Sequence, residues 1–267
     1  MSTTEIPANL VKQLREETGA GMMDCKRALQ ETGGDVESAK TLLRERGMAE
    51  AGKRAGRETT EGIVLARLDG KHGTLVAVGC ETEPVSKNEE FLAFAQKALE
   101  TVERDGAEAI EQLEDERVEL VGKIGENVAV RGAARFDQEG DETIGAYVHP
   151  PANKIGVLVK LRGGSVELAR LVAMHISFAN PRYRARDEVP SEELAAEKSI
   201  YERSDEVQSK PEQVREKIVE GMLGKRFYGQ TVLVDQEWIH DSGKTVGKAL
   251  EEQGAEVVDF VRYALAG

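Results

Sequence analysis

The sequence predicts an α+β protein in four parts. These are an N-terminal bundle of three short helices, two related α/β halves, and a helical hairpin inserted into the second half. Three observations carry the prediction. Near the N-terminus, apolar residues recur at helical spacing between glycine breaks. Beyond residue 60, β-rich runs come in pairs, each followed by a helical stretch and later by a single β run. Residues 191–226 have few β-formers, and Val214, Ile218 and Met222 stand there at i, i+4 and i+8.

The bundle is assigned to residues 1–54. Its first helix carries Leu10, Val11 and Leu14 and breaks at Thr18-Gly19-Ala20-Gly21. The second runs from about Met22 to Glu31, with Met22, Cys25 and Leu29 on neighbouring faces. Gly33-Gly34 makes a turn, and Asp35 suits the N-cap of a third helix. That helix presents Val36, Ala39, Leu42 and Leu43, and Gly47 is expected to end it. Residues 49–61 contain Gly52, Gly56 and many charges and read as a linker.

The first α/β half is assigned to residues 55–139. Residues 62–68 and 73–80 are two β runs joined by Asp69-Gly70-Lys71-His72, a hairpin signal. A helix is expected over 88–103 with Phe91, Phe94, Ala95, Ala98, Leu99 and Val102 inward. A second helical stretch covers 109–123, and a strand 128–136.

The second half takes residues 140–190 and 227–267. Its β runs are 143–149 and 155–161, and its helix is 166–179 with Leu168, Leu171, Val172 and Ile176 inward. A short helix over about 244–253 is expected to be capped by Asp241-Ser242, and a last strand spans 255–263. The pattern repeats at an offset of about 80 residues, which motivates two related halves. The insert, 191–226, reads as an antiparallel, coiled-coil-like hairpin broken at Ser209-Lys210-Pro211. Two ordinary surface helices would show the same narrow seams.

Composition narrows the function classes. The net charge is −13, with 36 basic and 49 acidic residues. Residues 1–57 hold 10 basic and 9 acidic side chains, so the acidity lies in the remainder. An acidic chain without a basic stripe repels phosphate backbones, and direct nucleic-acid binding is not expected. Cys25 and Cys80 are too few for a disulfide framework and read as thiols in a reducing compartment. No apolar run reaches the roughly 20 residues of a membrane helix, and the N-terminus lacks a signal-peptide pattern. A cytoplasmic protein with no membrane contact is expected.

Catalytic patterns are absent. Gly243-Lys244-Thr245 resembles the end of a phosphate-binding loop, but Trp238 stands where its leading glycine is needed. The four histidines, His72, His149, His175 and His240, show no paired metal-ligand spacing. His175, on a helix, is expected to be a satisfied, half-buried side chain. No nucleophile elbow occurs, and no cofactor or metal is expected. These observations favour a binding protein over an enzyme.

Specific stretches go further. The run Leu10 to Leu29 (LVKQLREETGAGMMDCKRAL) closely resembles the opening of the translation elongation factor Ts family. So do Lys123-Ile124-Gly125-Glu126-Asn127, Ile155-Gly156-Val157-Leu158-Val159, Ala173-Met174-His175 and Lys244-Thr245-Val246-Gly247, in order along the chain. The resemblance implies a ubiquitin-associated-type N-terminal domain, a core of two similar subdomains and an inserted coiled-coil hairpin. It also implies a guanine-nucleotide exchange factor that binds GDP-form elongation factor Tu, loosens Mg²⁺ and releases GDP without covalent chemistry. Longer members carry a C-terminal extension, which this chain, ending at Gly267, is expected to lack.

By the same resemblance, Thr82-Glu83-Pro84-Val85 matches the family loop that dislodges Mg²⁺. The usual pattern there is Thr-Asp-Phe-Val, so this chain keeps the carboxylate on a longer stem and lacks the aromatic ring. Pro84 is expected to restrain Glu83 toward extended backbone. Ile124 and Gly125 match a second interface loop, or alternatively a simple turn before a strand. His149 matches an interface histidine. Met22, Met23 and Lys26 match an N-terminal docking surface, although Met22 would serve equally in the core. The rival reading is an adaptor or RNA-docking protein built on the three-helix module.

Overall fold

In the computed structural model, which describes residues 6–265, three helices open the chain: α1 (Ala8–Thr18), α2 (Met22–Glu31) and α3 (Val36–Arg54). The ends of the expected first and last segments, residues 1–5 and 266–267, lie outside the described residues. Gly19 ends α1 in the left-handed region at φ 69°, and its N–H returns to the Arg15 carbonyl. The Asp35 carboxylate caps α3 through the Ser38 N–H at 2.7 Å. Val11, Leu14, Cys25, Ala28, Leu29 and Ala39 form the small core of this bundle.

The third helix does not stop at Gly47. It runs to Arg54, so much of the expected linker is helical. The cause is a tertiary contact that sequence patterning does not display. Gly47 faces Gly122 on a later helix, and a methyl on Gly122 would stand 3.0 Å from the Gly47 Cα. The glycines let two backbones approach. One turn further on, Ala51 is buried in the neighbouring core.

Strands β1 (Glu61–Leu68), β2 (His72–Cys80) and β3 (Val128–Asp137) form a three-stranded sheet in the order β1-β2-β3. Between β2 and β3 lie the one-turn helix α4 (Glu83–Ser86), the long helix α5 (Glu89–Asp105), a 3₁₀ segment (Ala107–Leu113) and α6 (Glu114–Ile124). The helix expected over 109–123 is therefore α6 preceded by a 3₁₀ segment. Asn88 caps α5 by accepting from the Glu90 and Phe91 N–H groups. All six apolar positions expected to face inward on α5 are buried. They pack with Val76, Val78, Cys80, Leu120, Val121 and Val128.

The chain separates into two compact units: residues 1–65, 76–133 and 263–267, and residues 66–75 and 134–262. In the second unit, β4 (Glu142–Val148) and β5 (Ile155–Arg162) pair antiparallel, with Glu142 opposite Arg162 and Val148 opposite Gly156. Helix α7 (Val166–Ala179) follows, capped by Ser165. After the insert and α12 (Val246–Glu251), strand β6 (Glu256–Ala264) completes a sheet ordered β4-β5-β6. In each sheet the third strand lies beside the second, and a helix follows the second strand. Thr245, not Asp241-Ser242, caps α12, because its hydroxyl accepts from the Lys248 N–H. Asp241 instead accepts from the Gly243 N–H in a tight turn and pairs with Lys244.

The insert comprises α8 (Ser191–Arg203), α9 (Asp205–Gln208) and α10 (Glu212–Met222). Helix α10 widens into a π-helical stretch (Leu223–Tyr228) and ends in α11 (Gly229–Thr231). Ser204 adds a break that sequence periodicity does not mark. Tyr201, Val207, Val219 and Met222 pack with Val189, Phe227 and Val232 in a separate apolar cluster. Burial pushes the Tyr201 phenol up to about 12, with Glu197 adding to the effect.

Candidate partner-binding site

The Thr82–Val85 segment leaves β2 directly. Thr82 has extended backbone at φ −129° and ψ 153°, and Glu83 begins the one-turn helix α4. The extended residue is thus one position earlier than expected. Proline is tolerated in a first helical turn, where its missing N–H costs no hydrogen bond. Glu83 pairs with Lys87 at 2.7 Å on the surface and raises the Lys87 ammonium above its ordinary range. Pro84 is exposed, whereas Val85 leans on the core and anchors the turn.

Thr82 occupies the N-cap position, yet its side chain does not cap α4. Its hydroxyl donates instead to Glu126 Oε1 at 2.7 Å, and its N–H to Glu126 Oε2 at 3.0 Å. In the opposite direction, Glu81 Oε1 accepts the Asn127 N–H at 2.6 Å. Asn127 is buried and donates its side-chain amide to the Arg57 carbonyl at 2.8 Å. The Arg57 guanidinium in turn meets the Glu81 carboxylate at 3.3 Å. The Cys80 thiol donates to the Thr82 carbonyl at 3.3 Å.

These contacts bring the Thr82–Val85 turn beside the Ile124-Gly125 turn. Gly125 ends α6 in the left-handed region at φ 82° and exposes the backbone there, while Ile124 packs partly on the core. One residue earlier, the Lys123 stem lies against Gly19, where a methyl would stand 3.3 Å from Lys123 Cδ. The turn that leads into α2 is therefore tied to the end of α6. Met22 and Met23 are 57% and 62% exposed, so Met22 is not a core residue. Lys26, one turn on, is exposed as well.

His149 belongs to the second unit, at the end of β4. Its ring Nδ1 is 3.1 Å from the Tyr147 hydroxyl, and its N–H closes the β4–β5 connection onto the Ile155 carbonyl at 2.9 Å. The ring is exposed.

Sequence reasoning underestimates His175, which is fully buried rather than half-buried. Its Nε2 lies 2.9 Å from Gln236 Oε1, its Nδ1 accepts the Ile239 N–H at 3.4 Å, and its ring stacks on Trp238. Burial lowers its pKa, which keeps the ring neutral. At the candidate site, sequence reasoning misses Glu81 altogether and quotes Glu126 within a motif without giving it a role. Each is an acidic residue beside a strand end, and only the pairing of those ends shows what it holds.

The fold and site define a multi-part α+β protein whose candidate binding groups are exposed turns and a helix face. Among the described residues no group of three or more His, Cys, Asp or Glu is arranged to hold a metal, and no helix is long and apolar enough to cross a membrane. The Elongation factor TS family model matches residues 81–267. Elongation factor Ts of Methylococcus capsulatus is 42% identical over 97% of this chain and 91% of the relative. That of Alkalilimnicola ehrlichii is 42% identical over the same shares, and that of Escherichia coli 40%. The chain belongs to the elongation factor Ts family.

Proposed function

We propose that this chain binds GDP-form elongation factor Tu, disturbs its Mg²⁺ and promotes GDP release so that GTP can enter. The supporting observation is family membership across nearly the whole chain, joined to two exposed turns held as one piece beside β2 and β3. Binding energy alone does not produce exchange. The factor must favour the nucleotide-free partner over the nucleotide-bound one, and the coupling is reciprocal. Contacts that weaken the partner's hold on Mg²⁺ and phosphate therefore count most, because that charge retains the nucleotide.

In this reading Glu83, preceded by Thr82 and followed by Pro84 and Val85, perturbs the ion's surroundings by charge and hydrogen bonding. No aromatic ring wedges into the partner. Ile124, Gly125 and His149 add partner contacts, and Met22, Met23 and Lys26 dock the N-terminal helices. The three-helix segment is of ubiquitin-associated type, the two sheet-containing halves are related, and residues 191–226 act as an accessory coiled-coil arm. The protein works in the cytoplasm, without covalent chemistry or direct nucleic-acid contact.

The test is the release of labelled GDP from elongation factor Tu. Substoichiometric amounts of this chain are expected to accelerate release over many turnovers. One molecule consumed per GDP freed would overturn the reading.

A further inference from the structure

The two acidic residues that flank the paired strand ends link the two turns to each other. β2 ends at Cys80 and β3 begins at Val128, and these strands are neighbours in the sheet. Just beyond the ladder, Thr82 and Asn127 each offer a backbone N–H that no strand accepts. The carboxylate preceding each residue crosses over to satisfy the other: Glu81 takes the Asn127 N–H and Glu126 takes the Thr82 N–H. Glu126 also takes the Thr82 hydroxyl, so its two oxygens hold one residue at two points.

We infer that this crossed pair is a brace that positions the Thr82–Val85 turn for exchange, with Glu126 and Glu81 as positioning residues. The inference rests on the exchange-factor reading above. The geometry points one way. Hydrogen bonds to an ionised acceptor are the stronger kind, and two on one residue fix direction as well as distance. Thr82 is the last residue before Glu83, so holding its N–H and hydroxyl sets the direction in which α4 leaves the sheet. Glu126 follows Gly125, so the same carboxylate fixes the second turn relative to the first. The Cys80 thiol on the Thr82 carbonyl and Arg57 on Glu81 hold the brace from behind. Val85 supplies an apolar anchor on the core, and apolar packing is non-directional where hydrogen bonds fix direction.

A positioned turn and a floppy one differ in the step that follows docking. Docking also uses contacts outside the brace, so an unbraced turn still reaches the partner. It then spends only a fraction of its time in the orientation that disturbs the ion, and the maximal rate scales with that fraction. Loss of folded protein behaves differently. It lowers the active concentration, raises the apparent half-saturating amount and leaves the maximum intact.

The experiment uses the full chain and elongation factor Tu loaded with labelled GDP, with Glu126→Ala, Glu126→Gln, Thr82→Val and the double variant Glu126→Ala/Thr82→Val. Glu126→Ala should lower the maximal release rate about tenfold, the size expected for losing hydrogen bonds to a charged group, while the half-saturating concentration moves less than about twofold. Glu126→Gln keeps a carbonyl oxygen that can accept from Thr82 and should recover most of the rate. The double variant should be little worse than Glu126→Ala, because both changes break one contact. Hydrogen exchange on the free protein reads the brace without the partner: the Thr82 amide should exchange about tenfold faster in Glu126→Ala, and the Asn127 amide in Glu81→Ala.

An unchanged maximal rate in Glu126→Ala, or a defect confined to the half-saturating concentration, overturns the positioning role. Additive losses in the double variant overturn the shared contact. Failure of the unaltered chain to accelerate GDP release at any concentration is a different result, and it overturns the exchange-factor reading on which the inference rests. Unchanged amide exchange would remove the brace itself.

Discussion

Two glycines, Gly47 and Gly122, set how closely helices α3 and α6 cross, and they are not equivalent. A glycine inside a helix is about 1 kcal/mol worse than alanine, so each needs a tertiary reason. A methyl on Gly47 would meet the Gly122 Cα at 3.6 Å, an ordinary contact, whereas a methyl on Gly122 would meet the Gly47 Cα at 3.0 Å. Backbone on a packed helix cannot swing aside as a side chain can. Gly47→Ala is therefore expected to stabilise the protein by up to ~1 kcal/mol through helix propensity. Gly122→Ala should cost about 1–2 kcal/mol, because the helices must part and Ala51 loses packing. Urea midpoints for the two variants check this, and a Gly122→Ala midpoint at or above that of the unaltered chain would show that the crossing yields. The same pair shows why residue-level reading misplaces the end of α3. A glycine after an apolar stripe signals a helix stop, and only its partner 75 positions along the chain gives it another use.

At the scale of elements, the buried His175 imidazole is the central link between α7 and the segment 236–240. His175 gives its Nε2 edge to Gln236 and takes the Ile239 N–H, while Gln236 donates to the Gln230 carbonyl at 2.7 Å. Trp238 covers the ring and His240 lies beside the same helix, reaching the Leu171 carbonyl at 3.2 Å. Protonating His175 would turn an acceptor into a donor facing an N–H. Burial, with a smaller contribution from His240, lowers its pKa from 6.5. The unfolded chain then binds a proton that the folded one refuses. The stability is fully present above about pH 6.5 and is lost as pH falls toward the folded value. The melting temperature is expected to start falling as pH drops below 6.5, before most carboxylates titrate. His175→Gln should melt lower overall, with a shallower slope between pH 6.5 and 5. Parallel slopes would remove His175 as the cause. Most elements were legible in the sequence because their signal is local: the α5 stripe, the Asp35 cap and the β runs of β4 and β5 each lie within a few residues. The Ser204 break, the Thr245 cap and the 3₁₀ entry to α6 were not legible. The Ser204 break and the Thr245 cap rest on hydroxyl-to-backbone hydrogen bonds, which periodicity does not record.

At the scale of the whole molecule, the candidate site divides into groups with different expected work. Only part of that division could be read in advance. Motif resemblance picks out Thr82 to Val85, Ile124, Gly125, Met22, Met23, Lys26 and His149. It contains Glu126 but does not show that Glu126 and Glu81, 45 positions apart, join two of those segments. Met22, Met23 and Lys26 are exposed on α2 and lie outside the bundle core, so replacing them is expected to leave the fold intact. If they dock the partner, their loss weakens encounter and complex alike and leaves the later step alone. The triple variant Met22→Ser, Met23→Ser, Lys26→Ala should raise the half-saturating concentration for GDP release about tenfold, or ~1.4 kcal/mol, with the maximum unchanged. Replacing Glu83 and Pro84 by Ala should do the reverse in millimolar Mg²⁺, lowering the maximum while the complex still forms. If Glu83 acts on Mg²⁺ as proposed, chelating the ion should shrink that second defect, because the step has then been accomplished, whereas the docking defect should persist. A Glu83-Pro84 defect of equal size with and without Mg²⁺ would point to displacement of the partner's backbone or side chains instead. A fall in the maximum for the α2 variant would place exchange work, and not docking alone, on the N-terminal helices.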